Sequence, residues 1–269
     1  MMATKDLFGI LFFCVVLRMA STIFIAETFP EGAYFFSLIL TAGFEILLVL
    51  LCVWLVKIDA FQIKTIIGNG IGLDKVVMAM AIGVALLMFT IGENALEALA
   101  LSQADQQLAY KLWNFHATEK EVHPFLSWKV LGFLVVACGI TPFCEEVFFR
   151  GFVLHALVKK RAIRLSVVIN SLVFTALHFS HEYYIATFVF SLVLCWSYLW
   201  TGSIWFCAVI HSSYNFFAFV SKYSLNRYFI KAPGDMSMVT TWIPEILAFI
   251  IASTFLLFLF LKFRFHRVK

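Results

Sequence analysis

Pro142-Phe143-Cys144-Glu145-Glu146-Val147-Phe148-Phe149-Arg150-Gly151 sets two carboxylates and a guanidinium inside an apolar run that extends from Phe125 to Lys159. At 1.5 Å per residue that run would make a helix of roughly 50 Å, longer than a hydrocarbon core of about 30 Å. It must tilt, kink or project, and Gly139 with Pro142 is the expected kink, because proline removes a backbone donor and its ring crowds the preceding turn. An ionised side chain at bilayer depth is expensive unless it faces a partner or a watery cavity, so these three charges are functional candidates by default.

Composition supports a membrane reading. The chain is 62% hydrophobic, 17% aromatic and 13% charged, with a mean hydropathy of +0.94, outside the range of a soluble domain of 269 residues. Unpaired backbone groups are not tolerated in hydrocarbon, and runs of about 20 apolar residues point to helices. The expected fold class is therefore all-α, a polytopic membrane protein. The cysteines Cys14, Cys52, Cys138, Cys144, Cys195 and Cys207 all lie within apolar runs, without metal-type spacing, and read as small buried hydrophobes. The net charge of +4 is spread over loops, so membrane lipids are expected as partners and nucleic acid is not.

Outward from the charged stretch, eight spans are expected: Leu7 to Ala26, Ala33 to Val56, Val76 to Leu99, the long run from Phe125 to Lys159, Leu165 to Phe179, Tyr184 to Trp200, Ser203 to Val220, and Trp242 to Leu261. The first lacks a cleavage pattern and reads as a retained helix. Between spans, Asp59 to Asp74 suits an interfacial loop or short surface helix, and Ser102 to His123 an amphipathic helix plus loop. The chain divides into N-terminal helices and loop (1–124), a core (125–220), and a C-terminal helix with a basic tail (221–269). With eight spans, the side holding both termini collects twelve Lys and Arg against six opposite. Both termini are thus expected in the cytoplasm, the membrane being the cell's inner or plasma membrane.

Glu146 and Arg150, four residues apart, lie on one helical face and can pair, whereas Glu145 points about 100° away. This separates an orienting carboxylate from one suited to act as general base. Ser171, Phe174 and His178 share a face of the next span. Glu145 and His178 are each 14 residues from the Lys159–Arg164 basic cluster, roughly 21 Å along straight helices, and should be level. His211 and Asn215 share a face, but counted from Ser203 they are shallower, at roughly 12 and 18 Å, unless the Thr201-Gly202 turn is itself sunk below the surface. A carboxylate, two histidines and an amide converging in lipid suit peptide-bond hydrolysis, which needs a held water, a base and oxyanion donors.

Glu145-Glu146-x-x-x-Arg150, Phe174-x-x-x-His178 and His211-x-x-x-Asn215, in this order on successive helices and with Thr201-Gly202-Ser203-Ile204-Trp205 leading to the last, resemble the motifs of the CAAX-processing and bacteriocin-processing (CPBP, or Abi) intramembrane proteases, CAAX prenyl protease 2-like members included. The likeness covers about Phe125 to Val220. It implies a conical, partly water-filled intramembrane cavity and a peptide or lipidated-protein substrate. It further implies that Glu145 activates the water, that His178 helps hold it, that His211 and Asn215 stabilise the oxyanion, and that Glu146 with Arg150 supports the geometry. Family members are often described as metalloproteases. Here no H-E-x-x-H occurs, and a zinc site at Glu145, His178 and His211 is open but not demanded, so no cofactor is expected.

Two other classes fit the composition: a non-catalytic scaffold or bacteriocin-immunity protein on the same fold, and a small transporter, which would show an internal repeat that this chain lacks. His155 and His181 read as bystanders, the 32 phenylalanines as mainly lipid-facing bulk, and Glu93 and Glu97 as solvated near an interface. Arg18 and Glu45, both about 12 residues from their charged helix ends, are expected to form a structural ion pair.

Overall fold

The computed structural model describes residues 9, 34–57, 60–115, 128–178, 184–224 and 235–263, and within them the architecture is helical without strands. The helices are α1 (Tyr34–Val56), α2 (Ala60–Ile67), α3 (Leu73–Ser102), α4 (Gln106–Phe115), a long α5 (128–158), α6 (Ile163–Leu177), α7 (Tyr184–Thr201), α8 (Ile204–Ser224) and α9 (Ile243–Lys262), the last entered through a 3-10 turn, Val239–Trp242. The expected first span, 7–26, and Arg18 lie outside the described residues, as does His181, so the proposed Arg18–Glu45 pair does too.

Among the described residues, five helices are long and apolar enough to cross a membrane, namely α3, α5, α7, α8 and α9. The apolar stretch Ala42–Trp54 of α1 and α6 are shorter. The chain is an integral membrane protein on these helices, but α6, at 15 residues, is about 22 Å long and falls short of a full span. His178 is its C-cap residue, so the helix stops where its histidine is needed. α3 lies against α8 and α9 at close range. A Cβ at Gly83 would meet the Ile210 carbonyl at 2.7 Å, and one at Gly92 would run into Phe249 and the Glu245 carbonyl at 2.5 Å. In lipid, where helix association depends on packing, such close approach is what small residues provide.

α5 is not a simple kinked α-helix. It consists of α-helical Trp128–Val135, a π segment at Val136–Ile140, α-helical Thr141–Glu146, a second π segment at Val147–Leu154 and a last turn, His155–Val158. Pro142 sits at the start of the third piece, and the π register immediately before it opens the turn that its ring would otherwise strike. The disturbance expected at Gly139–Pro142 is thus a change of helical register. The second π segment carries Arg150 and has no proline to announce it.

Not every phenylalanine faces lipid. Phe148, Phe149, Phe152, Phe174, Phe190 and Phe206 are buried and pack in one core with aliphatic residues such as Leu154, Leu194 and Ile210. Among the described phenylalanines, strongly exposed rings include Phe258 and Phe260 of α9. Glu93 is another correction. It is buried while Glu97 is exposed, since α9 packs over the Gly92 side of α3 and removes Glu93 from solvent.

Candidate active site

α5, α6 and α8 bring the three predicted motifs to one place. Glu145 Oε2 lies 3.7 Å from His178 Nε2 and 3.9 Å from His211 Nε2. Glu145, Glu146, Arg150 and His211 are buried, whereas the His178 side chain retains 27% exposure, which makes it the edge from which the cluster can be approached. His211 is level with Glu145 despite its shallower count from Ser203. The Thr201–Ser203 turn is sunk beneath α2: Tyr198 donates a hydrogen bond to the Ile66 carbonyl at 3.1 Å, and Ser203 one to the Asn69 carbonyl at 3.0 Å.

The hydrogen bonds fix the orientation of both imidazoles. His178 Nδ1 is 2.8 Å from the Phe174 carbonyl, and His211 Nδ1 is 2.9 Å from Glu146 Oε1. A carbonyl and a carboxylate oxygen can only accept, so each Nδ1 carries a proton and each ring turns its Nε2 edge toward Glu145. Stacking of the His178 ring on Phe174, at 4.1 Å between centroids, and the edge contact of Phe190 with His211, at 4.9 Å, hold the ring planes.

Glu146 Oε1 also accepts from Arg150 Nη1 at 3.1 Å, the pairing that the i, i+4 spacing predicts. Arg150 is in turn held by Ser191 of α7, through the hydroxyl at 2.9 Å and the carbonyl at 3.2 Å. The Phe174 ring lies 4.7 Å from its guanidinium carbon. A fully buried arginine is tolerable only with such a set of partners. A second layer backs it: Asn170 donates to the Phe149 carbonyl at 2.8 Å and accepts from Cys195 at 3.1 Å. Cys195 is therefore more than a small hydrophobe.

Asn215 lies beside the cluster but spends one N–H on the Ala137 carbonyl, at 2.7 Å. The reason is local. Thr141 N–H bonds the Val136 carbonyl in the π register, so the donor owed to Ala137 would be residue 142, and proline has none. An amide carries two N–H groups, which leaves one for another acceptor. Ser191, Asn170, Cys195 and Asn215's clip on Ala137 were not read from the sequence. Small polar residues in apolar helices carry no periodic signal, although Ser191 on α7 and Asn170 on α6 each lie on the buried face of an amphipathic pattern. His155 lies beyond Arg150 on α5 and does not join the cluster.

Glu145, His178 and His211 are the right donor types for a catalytic zinc site, and both histidines have Nδ1 partners of the kind that orient metal ligands. Even so, among the described residues no three His, Cys, Asp or Glu side chains are grouped closely enough to hold a metal ion.

Residues 127–217 match the family model for Type II CAAX prenyl endopeptidase Rce1-like proteins. The match spans all three motifs and supports the sequence resemblance over that segment. No curated protein and no solved structure matches the chain.

Proposed function

We propose that this protein is an intramembrane endopeptidase that hydrolyses a peptide bond of a membrane-associated or lipidated substrate with a water activated by Glu145. The observation that carries this reading is the approach of one buried carboxylate to the Nε2 atoms of two histidines from different helices, at 3.7 and 3.9 Å. A carboxylate and two imidazole Nε2 atoms this close together can hold a water and take a proton from it.

In this reading the Glu145 carboxylate takes a proton from that water as its oxygen attacks the scissile carbonyl, and His178 holds it in line. Glu145 then returns the proton to the departing amine. Glu146, anchored by Arg150, keeps His211 oriented and favours a proton on it before the reaction, so that His211 Nε2–H and the remaining Asn215 N–H donate to the oxyanion. Burial makes each of these interactions stronger than it would be in water. No step runs through a metal. Residues 127–217 match a family described as a CAAX prenyl endopeptidase, so prenylated proteins are the substrate class proposed first.

Beyond the five long helices, α1 and the shorter α6 complete the described membrane part, and both termini are placed in the cytoplasm. This topology is supported by the basic character of one end of the bundle, where Lys64, Lys75, Lys159, Lys160, Arg161, Arg164 and Lys262 flank helix ends.

The test is purified protein in liposomes with a farnesylated peptide ending in Cys-aliphatic-aliphatic-X, followed by mass spectrometry. Release of the last three residues from the farnesylated peptide, and not from its unmodified twin, is expected. If the folded protein cleaves neither this peptide nor any in a membrane peptide library, the peptidase reading fails.

A further inference from the structure

The buried Phe190 ring of α7 meets two neighbours on one face of α8: His211, at 4.9 Å between centroids, and Tyr214, at 4.8 Å. The Phe174 ring lies on another side of Phe190, at 6.0 Å. The wall that the His211 imidazole rests against is thus itself backed by Phe174 and Tyr214.

Tyr214 is held from its far end. Its hydroxyl donates to Thr90 Oγ1 of α3 at 3.2 Å. That oxygen is fixed in turn, because the Thr90 hydroxyl donates to the Leu86 carbonyl at 3.0 Å and keeps its lone pairs for accepting. Thr90 is buried and lies two turns beyond Gly83 on the same face of α3. At Gly83 the two helices touch: an added Cβ would meet Ser213 Cβ at 2.8 Å and the Tyr214 backbone nitrogen at 3.0 Å. α3 therefore grips α8 beside His211 twice, once through the backbone and once through the Tyr214 hydroxyl. A phenylalanine at position 214 would fill the same space, whereas the hydroxyl adds a direction.

We propose that Tyr214 is a positioning residue for the reaction: anchored on Thr90, its ring holds Phe190 against His211 and so keeps the His211 Nε2 edge on Glu145. The assignment rests on the peptidase reading, and Tyr214 acts through Phe190 without touching substrate. It gives α3, a helix outside all three motifs, a part in setting the catalytic geometry.

The test uses the full chain in detergent micelles, with a farnesylated peptide as substrate and, in parallel and without substrate, NMR of protein carrying isotopically labelled histidine. Tyr214→Phe and Thr90→Val each delete one end of the bond with little change of shape. Each should lower kcat about three- to tenfold with KM within about twofold of the wild type. The double variant should be no slower than the slower single one, and Thr90→Ser, which keeps the hydroxyl, should recover what Thr90→Val loses. In the spectra both single variants should move or broaden the His211 Nδ1–H resonance, assigned by its loss in His211→Gln, and leave that of His178 in place. A wild-type protein that cleaves nothing fails the peptidase reading, whereas the anchor is judged separately by the spectra. An unmoved His211 resonance, an equal shift at His178, wild-type kcat in both single variants, effects that multiply in the double variant, or a rise in KM alone would each overturn the proposal. So would loss of the monodisperse size-exclusion peak in Tyr214→Phe, which would make the bond a requirement of the fold.

Discussion

Glu146 and Glu93 are both carboxylates buried in membrane helices, and the helices around them treat the two quite differently. Glu146 accepts from Arg150 and His211 at 3.1 and 2.9 Å, and Arg150 is itself held by Ser191 and faced by Phe174. Glu93, one turn from Glu97, has a second carboxyl group for a neighbour, with which its side chain shares a hydrogen bond, instead of a cation. Burial alone therefore does not mark a catalytic carboxylate in this protein. What distinguishes the candidate site is that its charges compensate one another beside Glu145, while the α3–α9 end places one acid beside another.

The largest effect should come from breaking the compensated node. Arg150→Met leaves Glu146 buried without its cation, a loss of about 3–5 kcal/mol. The variant should fail to accumulate as a monodisperse species in detergent size-exclusion chromatography. If it accumulates and melts like the wild type, Glu146 and Glu93 are equivalent and the contrast collapses.

Ser191→Ala removes one partner from Arg150 and should cost about 1–3 kcal/mol. It should fold, with a lowered melting temperature, and should lower kcat more than it raises KM, because it acts through Arg150 and Glu146 on the orientation of His211. A change in KM alone would place Ser191 at substrate and not behind the node.

Asn215→Ala should cost about 1–3 kcal/mol for the Ala137 carbonyl it leaves without a donor. The sharper measurement is its coupling to Pro142. Pro142→Ala supplies an N–H at that position, so the cost of Asn215→Ala should shrink by at least about 0.5 kcal/mol in the Pro142→Ala background. Strict additivity would mean that Asn215 does not stand in for the missing proline donor.

The smallest effect is expected at Glu93. Glu93→Gln keeps the shape and volume of a side chain that faces a second carboxyl group and no cation, so stability should stay within about 0.5 kcal/mol of the wild type or rise, and peptidase activity should stay within about twofold. A collapse of activity would assign the α3–α9 end a role that its geometry does not suggest.

These contrasts also show which parts of the fold were legible in the sequence. The Glu146–Arg150 pair and the level meeting of Glu145 with His178 follow from spacing, because helical geometry converts residue counts directly into faces and depths. For His211 the count left two depths open, the shallower if Ser203 marks the surface and the deeper if the Thr201-Gly202 turn is sunk, and α2 covering that turn decides for the deeper one. The same arithmetic misread Glu93, whose distance from the helix end is right but whose cover by α9 is a matter of tertiary packing. The π segments of α5 escaped because spacing arguments presume 3.6 residues per turn throughout. The phenylalanine-lined centre escaped because composition counts rings without saying which way they face. Ser191 illustrates the general limit: a single hydroxyl in an apolar helix gains its meaning only from Arg150, 41 residues away.

The claim on which the rest depends is that Glu145 activates the water, and purified Glu145→Gln tests it most directly. The substitution keeps shape and burial while removing the base. With a substrate that the wild-type protein cleaves, the account predicts a melting temperature at or above that of the wild type and a cleavage rate lower by at least about a thousandfold, within the range for loss of an essential general base. Cleavage by Glu145→Gln at a rate comparable to the wild type would contradict it.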